Sequence, residues 1–173
     1  IAGEGKGLEV VQKQIDNLNL YLKADNEFEI LLTTKPKEAI ILAEKICEEN
    51  KNTMINIFAC GGDGTSFEVL NGIVNFSNVN FGIIPVGSCN DFLKTFENHD
   101  FLSLERQLLG QKVGIDVLES DGEFLLNVAN FGFDARTNYD QIRYRHRFKT
   151  IKKAYNFSLF KNILSPKLGD EVD

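Results

Sequence analysis

One junction constrains this chain more than any other feature: an apolar run from Met54 to Cys60 that meets Gly61-Gly62-Asp63-Gly64. A run apolar almost throughout suggests a strand covered on both faces, as in a parallel sheet between helix layers. The three glycines let backbone N–H groups approach a ligand without Cβ obstruction. A helix predicted from about Thr65 to Asn75 follows, and its N-terminus offers unpaired N–H groups and the positive end of the helix dipole, a combination that favours phosphate. A tight turn with Thr65 as N-cap explains Gly64 and Thr65, but not three glycines around an acid.

The flanking sequence supplies the layers. Leu8, Val11, Ile15, Leu18 and Leu22 recur at helical spacing and predict one helix from about Gly7 to Ala24. Phe28 to Leu32 reads as a strand. Pro36 opens a helix to about Asn50 with Ala39, Ala43, Ile46 and Cys47 on one face, and Phe81 to Pro85 is the next strand. The order α-β-α-β-α-β predicts a doubly wound, mostly parallel α/β sheet with its ligand at the carboxyl ends of the strands.

Near residue 112 the pattern changes. Val113–Leu118 and Phe124–Asn130 flank Ser120-Asp121-Gly122, a hairpin signature. The domain reading is therefore a nucleotide-binding α/β domain over 1–110 and the start of a β-rich second domain over 111–173, with a basic, aromatic stretch helical up to Leu164. No strand precedes the glycine loop at residues 1–7, and the second module ends before closing a core. The expectation is a piece of a longer protein.

Composition narrows the classes. With 43% apolar and 25% charged residues the chain is globular. Its apolar runs, such as Ile40–Ala43 and Ile83–Val86, are far too short to span a bilayer, and no signal-peptide pattern opens it, so a cytoplasmic protein is expected. Three cysteines without paired spacing indicate neither a disulfide framework nor a zinc site, and Cys47 and Cys60 read as core residues. Net charge is −6, which argues against a nucleic-acid binder. Arg136 to Lys161 nonetheless carries eight basic residues against Asp140, a segment of +7 in a remainder of −13. Such a face can approach an anionic surface, although a solvated helix face has the same composition.

Asp63 refines the phosphate reading. A carboxylate beside polyphosphate is repelled unless it contacts a metal shell, accepts a substrate hydroxyl proton or stays hydrated, and the first two roles belong to phosphoryl transfer. Asp63 is accordingly the candidate catalytic residue. Neither a dinucleotide fingerprint nor a P-loop is present. A second loop, Pro85-Val86-Gly87-Ser88-Cys89-Asn90-Asp91, follows the next strand at the same predicted sheet edge, and two convergent loops make a pocket.

Gly61-Gly62-Asp63-Gly64-Thr65 followed by Glu68-Val69-Leu70-Asn71-Gly72 resembles the signature of the diacylglycerol kinase catalytic domain, shared with sphingosine kinases and bacterial lipid kinases. Gly82-Ile83-Ile84-Pro85 through Asn90-Asp91-Phe92 is similar to that family's next motif. Asn127-Val128-Ala129, Gly132-Phe133-Asp134 and Asp116 fit its expected strand pattern. The resemblance implies nucleotide contacts at Gly61, Gly62, Asp63, Gly64 and Thr65, continuing through Ser66, Phe67 and Glu68, and at Gly87, Ser88, Asn90 and Asp91. Thr33 and Ser88 would be hydroxyl donors, Ala2, Gly3 and Lys6 would form the first glycine loop, and Glu68 and Asn71 would fix the phosphate loop from behind. Cys89 stands where relatives usually have glycine, and a Cβ there would cost about 1 kcal/mol in a left-handed backbone. Phe67 replaces a frequent Asn.

The implied activity is transfer of the γ-phosphoryl group of ATP, with Mg²⁺, to a lipid alcohol such as diacylglycerol at the inner membrane face, in phospholipid biosynthesis. A homodimer is permitted. Residues 1–173 alone are expected to bind nucleotide weakly without turnover, and the metal ligands stay unassigned. The rival readings are an enzyme like NAD kinase, whose GGDGT loop is similar, and a noncatalytic nucleotide sensor.

Overall fold

The computed structural model describes residues 7–87, 89–96, 100–148 and 150–164. The chain forms two compact units, residues 1–127 and 128–173. In the first, α1 (Gly7–Asp16), α2 (Leu20–Asp25) and α3 (Glu38–Glu49) precede β1 (Ile55–Gly61), α4 (Asp63–Ile73) and β2 (Val79–Pro85). A 3-10 turn (Asp91–Thr95), α5 (Leu104–Leu109) and the strands β3 (Leu118–Ser120) and β4 (Glu123–Leu125) complete it.

β1 and β2 pair in parallel, from Ile55 opposite Val79 to Gly61 opposite Pro85. Period-two alternation sends their side chains to two cores. Ala59 and Ile83 pack with Ala39, Ala43 and Cys47 of α3 and Val69 and Ile73 of α4. Ile84, flanked by Phe58 and Cys60, packs with Val11, Leu18, Leu22 and Leu104. Helices therefore cover both faces, which is why β1 is apolar nearly throughout. The fold is mixed α/β with a parallel sheet, and among the described residues that sheet has two strands.

Several expectations need correction. Residues 26–34 form no strand. Phe28 and Ile30 do pack on the second core while Glu29 and Leu31 are exposed, so the alternation reports burial without a hydrogen-bonded neighbour. The predicted helix over 7–24 breaks between Asp16 and Leu20 because the Asn19 side chain accepts the Leu22 N–H at 2.9 Å and starts a new helix. Leu18 and Leu22 are nevertheless buried as the stripe requires, whereas Leu8 is exposed. α4 begins at Asp63 with Gly62 as its N-cap, so Thr65 lies inside the helix.

The hairpin is shorter than predicted, three residues per strand, and 113–117 and 126–130 contain no strand. Its turn is as expected: Asp121 and Gly122 have φ of +52° and +76°, the pair of positive values that a type I′ turn demands. Asn127-Val128-Ala129 and Asp116 lie outside any strand, and Gly132-Phe133-Asp134 opens a helix.

Residues 128–164 of the second unit are helical where regular: α6 (Gly132–Tyr144), a 3-10 turn (Arg145–Arg147) and α7 (Ile151–Ile163). Thr137, Ala154, Ser158 and Asn162 are buried, and Asn162 Nδ2 donates to Thr137 Oγ1 at 3.4 Å. Lys161 Nζ donates to Asp140 at 2.9 Å and to Tyr144 OH at 3.1 Å, which raises the lysine pKa, chiefly through the Asp140 bond. Among the described residues no helix is long and apolar enough to cross a membrane.

Candidate functional site

The register of the parallel pair brings both glycine loops to one sheet edge, because Gly61 and Pro85, the last residues of β1 and β2, are partners. The Gly61 carbonyl accepts both the Val86 and the Gly87 N–H at 3.1 Å. A Cβ on Gly87 would lie 2.4 Å from Gly62 Cα, so only glycine permits this backbone contact. A Cβ on Gly61 would meet Thr65 Oγ1 at 2.2 Å.

The N-cap of α4, Gly62, has extended backbone and no side-chain cap. Ser66 N–H bonds back to Gly62 O at 3.1 Å, and the buried Ser66 hydroxyl donates to the same carbonyl at 3.3 Å. A Cβ on Gly64 would meet nothing within 4 Å. The first turn thus presents the positive end of a helix beside open space, which suits an anion.

Asp63 joins the two loops. Its Oδ2 accepts the Asn90 N–H at 2.9 Å and its Oδ1 the Asp91 N–H at 2.7 Å. Asn90 is left-handed, φ 51° and ψ 52°, and its Nδ2 donates to Gly87 O at 3.0 Å. Among the described residues of this loop the left-handed one is an Asn, a type that tolerates the conformation. Asp91 pairs with Lys94, whose pKa is raised first by the hydrogen bond to Asp91, then by the charges of Asp91, Cys89 and Asp63. A cleft of about 360 Å³ opens beside Cys89, Asn90, Lys94 and Phe101.

Glu68 and Asn71 look outward from α4 in other directions. The Glu68 carboxylate accepts Lys37 N–H at 2.9 Å and Ala39 N–H at 3.3 Å, closing the start of α3, where Lys37 is left-handed. Glu38 accepts the N–H groups of Thr34 and Lys35 and the Thr34 hydroxyl. The Thr34 N–H is the main reason its pKa falls below the usual carboxylate value.

A model of the diacylglycerol kinase catalytic domain matches residues 1–120. The chain belongs to this family. A Staphylococcus haemolyticus protein provisionally named a lipid kinase is 33% identical over 131 residues, 71% of this chain and 42% of its own length. A protein of Staphylococcus aureus strain JH9 named diacylglycerol kinase is 30% identical over 138 residues, 78% of this chain and 43% of its own length. The chain thus matches less than half the length of these curated relatives. No solved structure matches it.

Within this diacylglycerol kinase catalytic fold, the structure brings together Gly61, Gly62, Asp63, Gly64 and Thr65 with Gly87, Asn90 and Asp91. Glu68 and the half-buried Phe67 lie farther along α4, and Thr33 is half-buried just before the turn that Glu38 and Glu68 hold. Ser66 turns its hydroxyl into the helix. Ala2, Gly3, Lys6 and Ser88 lie outside the described residues. Sequence reasoning missed Lys94 and the pairing of Asp63 with two backbone amides. The one available signal for that pairing was Asn90, an Asn beside an acid in a glycine loop.

Proposed function

We propose that the whole protein is an ATP-dependent lipid kinase that transfers the γ-phosphoryl group to a lipid hydroxyl such as that of diacylglycerol. The observation that carries this reading is the pair of glycine loops pinned together beside the N-terminus of α4, with open space over Gly64. The first-turn N–H groups of α4 hold phosphate oxygens, and Gly64 lets them approach. Ala2, Gly3, Lys6, Thr33 and Ser88 complete the nucleotide site in this reading.

Mg²⁺, when bound with ATP, neutralises the phosphates. Among the described residues no group of three or more His, Cys, Asp or Glu could hold a metal. Asp63 and Asp91 are the carboxylates of the two loops that would face an ion brought in with the nucleotide.

Arg143, Arg145, Arg147, Lys152 and Lys153 are exposed in the second unit, beside the packed rings of Tyr144, Phe148 and Phe157. These residues, and in sequence Lys149, which lies outside the described residues, are the ones proposed to meet anionic lipid at the inner membrane. Labelled-ATP turnover by the whole protein against diacylglycerol, sphingoid bases, glycerophospholipids and NAD tests the proposal. Transfer to a lipid alcohol is expected, and transfer to NAD alone would replace the reading.

A further inference from the structure

The amides of Asn90 and Asp91 are successive, and Asn90 is left-handed where a 3-10 turn begins. Consecutive N–H groups in such a conformation converge into a small anion-binding concavity. In this protein the concavity is filled from within, one Asp63 oxygen on each amide at 2.9 and 2.7 Å. The far end of the same loop is tied to Gly61 O through Val86 N–H and Gly87 N–H. Asn90 Nδ2 on Gly87 O closes the arc between the two ties.

We infer that Asp63 is a positioning residue: its carboxylate serves as the internal anion of the Asn90–Asp91 amide pair and so holds the second glycine loop against the first. The inference rests on the lipid-kinase reading for its functional consequence. Asp63 sits at the first position of α4, so the strut also fixes the second loop relative to the proposed phosphate-binding turn. An uncharged amide at position 63 offers one acceptor oxygen and sets an NH₂ donor against the other N–H, which leaves the concavity half filled.

This role separates cleanly from proton abstraction. A base is lost on Asp63→Asn with the loops unmoved, so kcat falls and nucleotide affinity is kept. A strut is lost with the loop, so both change.

The test measures hydrogen exchange at the amides of Asn90 and Asp91, ATP affinity and kcat in the full-length protein, for the unmodified chain, Asp63→Asn and Asp63→Ser. Both variants keep one acceptor, but the serine hydroxyl can rotate its hydrogen away and sets no NH₂ donor against the second amide. Loss of a charge-assisted bond is expected to speed exchange at both amides at least about tenfold in Asp63→Asn, and to weaken ATP by a similar factor. Asp63→Ser should keep partial protection at one amide. Unchanged exchange with unchanged affinity and a lower kcat would overturn the strut in favour of the base. Global exchange in Asp63→Asn shifts the decision to Asp63→Ser, where equal loss of protection across α4 and the loop would also overturn it. Exchange is read without turnover, so a protein that phosphorylates no lipid fails the functional reading while leaving the strut to be judged on its amides.

Discussion

The Asn71 side chain pairs with the backbone of Phe124 in both directions, Nδ2 donating to the carbonyl at 2.9 Å and Oδ1 accepting the N–H at 2.8 Å. One side chain of α4 thus does for β4 what a neighbouring strand would do, and it also donates to Phe67 O within its own helix. Asn71→Asp keeps the acceptor and removes the donor. It is expected to cost about 1–3 kcal/mol and to speed exchange at the Phe124 amide, read by chemical unfolding and hydrogen exchange.

Two glycines of α4 should respond oppositely to alanine. A Cβ on Gly72 would sit 2.4 Å from Ile40 O and 2.8 Å from Ala43 Cβ, in the α3–α4 contact. Gly72→Ala should therefore destabilise by about 1–3 kcal/mol. Gly64→Ala meets nothing within 4 Å and should leave stability equal or up to about 1 kcal/mol higher from helix propensity. ATP affinity should fall in Gly64→Ala, because the methyl occupies the space proposed for phosphate. Unaltered affinity would move the phosphates elsewhere.

Acid should loosen the turn before α3. The Glu38 pKa is depressed below 4.5 by the Thr34 N–H, so its contribution is present above that value and lost as pH falls through the folded pKa. Glu38→Gln is expected to flatten the acid limb of stability against pH between 4.5 and the lower folded value, with little effect at pH 7.

The thiols should divide by burial. Cys47 is buried, and burial pushes the Cys60 thiol up to about 11, so both should resist alkylation in the native protein. Cys89 is exposed in the cleft beside the second loop and should react. ATP should slow that reaction if the loop is part of its site, which mass spectrometry of labelled peptides reads directly.

Charge reversal at Lys149, Lys152 and Lys153 tests the membrane face. Each basic residue near an anionic surface is worth about 1 kcal/mol, so binding to anionic vesicles should fall by roughly two orders of magnitude or more and lose salt dependence. Unchanged binding would assign these residues to a solvated helix face.

The junction at β1, the helix α4 and the second loop were legible because each is local: an apolar run, a glycine break, a change of period. The same logic misread residues 28–32, where Phe28 and Ile30 satisfy the alternation by packing alone, since a ladder depends on which backbone lies alongside. It also read one helix through Asn17–Asn19, because Leu18 and Leu22 stay on the buried stripe while a single side-chain acceptor at Asn19 restarts the backbone. At the site, the glycines announced themselves. The Asp63 contact did not, because its partners are backbone amides 27 and 28 residues away, and amides have no residue signature.

The contact between Gly62 and Gly87 bears on how such a sequence can drift. Any side chain at Gly87 would push on the main chain of the first loop, at 2.4 Å from Gly62 Cα, with no flexible tip to yield. The constraint runs one way: a Cβ on Gly62 would meet Gly87 Cα at 3.4 Å, an ordinary contact, so descendants should hold glycine at position 87 more strictly than at position 62.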